Sequence, residues 1–206
     1  DCLRVRIHSG QPHIDALPLH GEAAVVDLLL GFGLKSYDEL LARLPKLSDA
    51  ALRRVGKQLL VGPYPKDERQ LRALTTMAER TDEALLLEVL PELLVRNKPA
   101  GVARAQTLLT NGNGNLRAFA TDALLAANFT PAIPQLIQAL QAEQQRATPA
   151  NLQLRAKLIH AVAQLGRQSD AVVDPLVAAM SAPDQREFAL DGLGLRSEER
   201  RVGKEC

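Results

Sequence analysis

Residues 117–140 constrain the fold of this chain more than any other stretch, because two apolar stripes with helical spacing flank a short corner there. The first stripe consists of Phe119, Ala120, Ala123, Leu124 and Ala127. The second stripe has the offsets i, i+3, i+4 and i+7 and consists of Ile133, Leu136, Ile137 and Leu140. We predict that Asn115 caps the first helix, that Thr130 caps the second, and that Pro131 takes the first helical position, where its missing N–H is harmless.

The four-position pattern of the second stripe occurs at three places in the chain. The other two sets are Leu86, Val89, Leu90 and Leu93, and Val173, Leu176, Val177 and Met180. Intervals of about 40–47 residues are typical of solenoids built from repeats of two or three helices. An arginine also recurs near the start of each first helix, at Arg117, Arg155 and Arg186. We therefore predict an all-α fold, a right-handed α-solenoid of antiparallel helix pairs.

Residues 117–140 resemble a HEAT-like repeat of the bacterial type that also occurs in phycobilin-lyase-like proteins. Such repeats have an arginine, small residues, Ala-Leu, a corner with Gly or Asn, and then Pro and Leu-Ile-x-x-Leu. Residues 154–180 are similar, with Leu165-Gly166 at the corner, and residues 186–194 resemble the opening half of another repeat. The resemblance implies a HEAT-like solenoid, a fold that serves as a scaffold in unrelated systems.

The sequence divides into four segments. Residues 1–20 alternate apolar and basic residues before a turn, which favours an irregular or short β segment. Residues 21–62 have helical patterns and indicate an N-terminal helical cap or subdomain, and the prolines that follow mark the boundary. Residues 63–195 are predicted to form the repeat array. Residues 196–206 resemble a translated cloning adapter, so we expect a non-native, disordered tail and further natural repeats in its place.

Composition narrows the function classes. The chain has 206 residues, an aromatic share of 3%, no Trp and a formal net charge of +1. This charge gives no global field that attracts nucleic acid or anionic membranes. No run of about 18 apolar residues is present, so no membrane span is expected. Cys2 and Cys206 are the two cysteines and show no metal or redox spacing. A reducing, cytoplasmic location is therefore favoured.

The histidines do not form a recognisable metal or catalytic motif. His8, His13 and His20 lie near Cys2, but their spacing matches no standard zinc finger. His160 lies within a helical pattern without an identifiable carboxylate partner, so we expect a core histidine there. We predict no catalytic residue, no cofactor and no metal site.

Two other groups of polar residues have ordinary structural explanations. Residues 111–115, NGNGN, lack the phosphate-loop pattern and predict a turn between helices. Arg53, Arg54 and Lys57 form a basic cluster that we interpret as a solvated helix face.

Arg117, Arg155 and Arg186 are the candidate partner-binding residues. Arginines at equivalent places in a solenoid can line one surface and bind phosphates or an acidic peptide. Alternatively, each arginine pairs with a carboxylate in the next repeat or covers apolar surface with its stem.

We expect a non-catalytic scaffold or adaptor that binds another protein on the concave solenoid surface. The alternative is a phycobilin-lyase-like or other accessory protein that holds a prosthetic group or a modified partner. Nucleic-acid binding is disfavoured by the absence of Trp and by the net charge of +1.

Overall fold

The computed structural model describes residues 5–8, 11–14, 26–27, 30–31, 37–62, 64–146 and 151–202. Two short strands, β1 (Val5–His8) and β2 (Gln11–Ile14), pair antiparallel with Val5 opposite Ile14. The α-helices with described bounds are α1 (Tyr37–Arg43), α2 (Asp49–Val61), α3 (Glu68–Ala78), α4 (Glu83–Arg96), α5 (Lys98–Asn111), α6 (Gly114–Ala126), α7 (Ile133–Arg146), α8 (Leu152–Leu165), α9 (Val173–Met180) and α10 (Arg186–Val202). Turns of 3₁₀ helix occupy Leu44–Lys46, Thr130–Ala132 and Asp170–Val172. The prediction of a helical chain is confirmed for residues 37–62, 64–146 and 151–202.

The chain forms two compact units, residues 1–100 and residues 101–206. The break at residues 62–65, where the sequence suggested a domain boundary, lies inside the first unit. There α2 ends at Val61 and packs on α4 and α3, so the helices on the two sides of the break share one core.

Helices α3 and α4 form the best-defined helix pair of the first unit. The apolar pattern of α4 lies in the core as predicted, and each side chain is at most 1% exposed: Leu86, Val89, Leu90 and Leu93. Asp82 is the N-cap residue of α4, and its carboxylate accepts a hydrogen bond from the Leu85 amide at 2.8 Å. Asp67 caps α3 in the same way, accepting from the amides of Arg69 and Gln70 at 3.0 and 3.1 Å.

The second unit is organised around α8. Helices α6 and α7 both pack closely on α8, and α10 packs on α8 and α9. The central position of α8 agrees with the burial of its side chains. The fully buried ones are Leu158, Ile159, Ala161, Val162 and Ala163.

The apolar patterns of α7 and α9 are only partly buried, which corrects the sequence prediction for these helices. In α9, Val177 is 50% exposed, Val173 and Met180 are half-buried, and Leu176 is fully buried. A 3₁₀ turn precedes α9, and the last residue of this turn, Val172, is the first side chain of the segment to be buried in the core. The 3₁₀ turn before α7 buries Ala132 in the same way, and Ile137 is left half-buried.

The helix caps around α6 differ from those expected. Asn113, rather than Asn115, caps α6 and accepts from the Leu116 amide at 2.9 Å. At the next corner Thr130 opens a 3₁₀ turn whose cap position, Phe129, makes no side-chain hydrogen bond. Asn128 has a φ of 48° and ends α6 in the left-handed conformation that Asn tolerates.

Helix α10 continues to Val202, beyond Leu195, where we expected the helical pattern to end. Residues 196–201 are rich in Glu and Arg, which have good helix propensity. No described helix is both long and apolar enough to cross a membrane.

Candidate functional site

Arg117 lies near the start of α6, and its contacts are inside the second unit. Its Nη2 donates to Glu143 Oε1 at 2.8 Å, and its Nη1 donates to the Gly112 carbonyl at 2.8 Å. The Glu143 side chain is 1% exposed, and its Oε1 also accepts from Arg146 Nη1 at 2.5 Å. Asn151 Nδ2 donates to the other carboxylate oxygen at 2.7 Å. One buried carboxylate thus connects the first turns of α6 with the last turns of α7.

Arg155 is also buried, with 2% of the residue exposed near the start of α8. Its Nη2 donates to Asp184 Oδ2 at 2.6 Å, and Asp184 lies in the turn after α9. The arginine therefore connects the start of α8 with the chain that leaves α9. This carboxylate belongs to the same helix pair, whereas the sequence suggested one in the next repeat.

Arg186 differs from the other two predicted arginines. It is exposed at the start of α10, where its Nε donates to the Met180 carbonyl at 3.2 Å. The structure therefore does not bring the three arginines together as one exposed row. Their contact with a partner remains a prediction.

The first unit contains a related polar contact. Gln70, near the start of α3, is 1% exposed and accepts from Arg96 at the end of α4. The Gln70 amide group also donates to the Leu59 carbonyl. We call such a contact an end clasp: it joins the start of the first helix of a pair with the end of the second helix or with the turn that follows it. Among the described residues, the end clasps are Gln70–Arg96, Arg117–Glu143 and Arg155–Asp184.

Sequence analysis identified one side of two end clasps and missed the other members, which are Gln70, Arg96, Glu143 and Asp184. A signal was available, because a carboxylate follows Arg117 and Arg155 near the end of the next helix. Glu143 lies in a Gln-rich stretch of the sequence, which gave no indication of a buried carboxylate.

A groove of about 740 Å³ lies between two successive corners of the second unit. We call it the corner groove, and its lining residues are Leu125, Asn128, Thr130, Ile133, Gln164, Leu165, Arg167, Gln168 and Ser169. Arg167 provides the charge among these residues and donates to Gln164 Oε1. Most of the other side chains are amides or hydroxyls, so the corner groove offers neutral donors and acceptors.

A smaller pocket of about 160 Å³ lies between α5, α6 and α7. We call it the clasp pocket because Arg117, Glu143 and Arg146 line it. Its remaining lining residues are Leu109, Thr110, Gln135, Gln138, Ala139 and Ala142.

His160 and the basic cluster are the described members of the histidine and basic groups that the sequence analysis considered. His160 is exposed on α8, so the expected core position is wrong. Arg53 lies 3.6 Å from Asp82, and Arg54 lies 2.6 Å from Asp27, as expected for a solvated basic face. Within the described residues, no three His, Cys, Asp or Glu side chains lie close enough together to hold a metal ion. The side chains of His8, His13 and His20 lie outside what the structure describes.

Two tyrosines in the first unit have perturbed pKa values. Burial, with a further contribution from the Asp67 carboxylate, raises the pKa of Tyr37 to about 12. Burial also raises the pKa of Tyr64. Their ring centroids are 5.3 Å apart, and the Arg69 guanidinium lies 5.0 Å from the centre of the Tyr37 ring. Both tyrosines are buried in the core of the first unit.

No family model, no curated protein and no solved structure matches this chain.

Proposed function

We propose that the chain is a non-catalytic, cytoplasmic protein-binding scaffold, built as a right-handed HEAT-like α-solenoid. The partner is a polypeptide segment that lies along the corner groove. The observation that carries this proposal is the groove itself, which is formed by two successive helix-pair corners of the second unit.

The chemistry of the corner groove suits a peptide backbone. A polypeptide presents an N–H donor and a C=O acceptor at nearly every residue. The side-chain amides of Asn128, Gln164 and Gln168 each contain both a donor and an acceptor, so they can satisfy either backbone group. Arg167 adds a single positive charge, which favours a segment with an acidic residue.

The lining also favours a peptide over a prosthetic group. A volume of about 740 Å³ lies within the range of ligand pockets, but such pockets are predominantly hydrophobic and aromatic. The described lining contains three apolar side chains, Leu125, Ile133 and Leu165, and no aromatic side chain. This composition gives little surface against which a large conjugated ring could stack.

Site-specific photo-crosslinking in cells tests the proposal. A benzoylphenylalanine replaces Gln168, which is exposed at the groove, and in a matched control it replaces Gln153, which is exposed on the same helix–corner segment. Gln153 lies about 16 Å along α8 from Gln164 and away from the groove. We expect a discrete protein adduct from position 168 and none from position 153.

A second change shows whether the adduct depends on the groove. Thr130→Trp places a large ring in the groove at an exposed position and should remove the adduct from position 168. Adducts of equal yield from both positions, or an adduct that persists with Thr130→Trp, would contradict binding in the corner groove.

A further inference from the structure

We propose that the clasp pocket binds a carboxylate group, supplied by a small organic acid or by an acidic side chain of a protein. This site is separate from the corner groove, so failure of the crosslinking experiment would leave it unaffected.

The charges around the clasp pocket do not balance. Arg117 and Arg146 carry two positive charges, and both guanidinium groups share the single carboxylate of Glu143. No other acidic residue lines the pocket among the described residues. One positive charge therefore remains, and a carboxylate has the single negative charge that compensates it.

Glu143 already accepts three hydrogen bonds, and its single negative charge is shared between two arginines. Its Oε1 accepts from both arginines, and its Oε2 accepts from Asn151. The Nε of Arg117 is buried and has no hydrogen-bond partner among the described residues. Arg146 makes one described contact, to Glu143, although a guanidinium has five N–H donors. The pocket thus has an excess of donors over acceptors.

Two side-chain amides that line the pocket add further hydrogen-bond donors. Gln106 Nε2 donates to Gln135 Oε1 at 2.9 Å, which leaves the Gln135 NH₂ group as a donor toward the pocket. Gln138 is exposed beside it and adds a second amide. A volume of about 160 Å³ corresponds to roughly five water molecules at about 30 Å³ each, which is enough for a carboxylate and its adjoining carbon.

The experiment follows the arginine Nε–H resonances of the full chain by NMR while sodium acetate replaces sodium chloride at constant ionic strength. We expect the Arg117 resonance to shift in a saturable manner. In Arg146→Gln the apparent affinity should fall about tenfold or more, since a charge-assisted hydrogen bond is lost. Arg146 is 53% exposed, so this variant should fold.

Arg54→Gln is the matched control. Arg54 is 54% exposed, pairs with one carboxylate and lies in the other unit, so acetate binding should remain as in the native chain. Gln138→Glu provides a second test, because a carboxylate at the pocket mouth should compete with acetate and abolish the shift.

Two capped peptides distinguish the sources of the carboxylate. Each has one central residue between glycines, Glu in one peptide and Gln in the other. Binding of the Glu peptide at least as tight as that of acetate, without binding of the Gln peptide, would assign the pocket to a protein side chain. Weaker binding of the Glu peptide than of acetate would assign it to a free organic acid, and equal binding of the two peptides would overturn the proposal. An Arg117 resonance that responds equally to acetate and chloride, or an unchanged response in Arg146→Gln, would overturn the proposal.

Discussion

Two arginines in the second unit depend on the Glu143 carboxylate to balance their positive charge. Its side chain is 1% exposed and accepts hydrogen bonds from Arg117, Arg146 and Asn151. A buried ion pair adds little net stability compared with an apolar pair, but removing one partner leaves an uncompensated charge. The energetic cost of losing the carboxylate depends on how far each arginine is buried. The Arg117 side chain is 15% exposed and the Arg146 side chain is 53% exposed.

We predict that Glu143→Ala lowers the free energy of unfolding by about 3 kcal/mol, because Arg117 loses its carboxylate in a buried position. Urea denaturation followed by circular dichroism measures the change. Asp122→Ala is the control, since the Asp122–Lys157 pair is 49% and 43% exposed and should contribute at most about 1 kcal/mol. Equal losses from the two variants would show that burial of Glu143 has no energetic effect.

Tyr37 makes stability depend on pH at alkaline values. Its pKa is about 12 in the folded chain, whereas the ordinary value is 10.0, so the folded state retains the proton between these two values while the unfolded chain loses it. The contribution is therefore complete below pH 10 and is lost as pH rises from 10 to about 12. A pKa difference of this size corresponds to roughly 2–3 kcal/mol.

We predict that Tyr37→Phe flattens the decline in stability over this window and changes stability at neutral pH by less than about 1 kcal/mol. The reason is that the Tyr37 hydroxyl is buried and has no hydrogen-bond partner among the described residues. Denaturation midpoints measured from pH 10 to about 12 test this prediction. The variant Tyr64→Phe should still show the decline in stability that arises from Tyr37. A decline as steep in Tyr37→Phe as in the native chain would assign it to other groups.

At the scale of elements, the sequence predicted where helices lie better than which side chains they bury. The pattern of α4 is buried as expected, because α4 begins directly at its Asp82 cap. The apolar pattern of α9 is only partly buried, because the preceding 3₁₀ turn rotates the side of the helix that faces the core. As a result, Val177 is 50% exposed. Periodicity alone cannot show this change, since 3₁₀ and α turns differ by less than one residue.

The candidate sites were predictable to a smaller extent. Arg117 and Arg155 were recognised as recurrent positions, but their burial depends on carboxylates contributed by other elements of the same pair. The corner groove depends on how two corners approach each other, which no local pattern in the sequence records.

Helix α10 contains two glycines with different surroundings. A Cβ on Gly192 would lie 2.8 Å from the Ala163 Cβ of α8, whereas a Cβ on Gly194 would meet nothing within 4 Å. We predict that Gly192→Ala destabilises the chain by about 1–3 kcal/mol through overpacking. Gly194→Ala should instead stabilise it by about 0.5–1 kcal/mol through helix propensity. Thermal unfolding of both variants measures the difference, and shifts of the same sign would contradict the close packing of α10 on α8.

At the scale of the molecule, the two units differ in their polar contacts. The first unit buries a neutral amide, Gln70, at its end clasp, whereas the second buries the charged side chains of Glu143 and Arg155, with 44% of the Asp184 side chain exposed. Mutations at an end clasp should therefore have larger effects in the second unit, where they leave charges uncompensated.

The net charge of the whole chain allows a prediction about nucleic acids. With a formal net charge of +1 and many arginines paired with carboxylates, we expect no retention on a heparin column even at low salt. The measurement is the salt concentration at elution, with lysozyme as a basic control. Retention that falls steeply with salt would favour nucleic-acid binding instead.

The end clasps also set where this chain tolerates insertions. An insertion within α6 or α7 would shift Arg117 out of register with Glu143, since the contact requires both helices to keep their lengths. An insertion beyond a clasp, in the connection from one helix pair to the next, leaves both partners in place. Changes in length should therefore accumulate in the connections between pairs, while the helices of each pair keep a fixed number of residues.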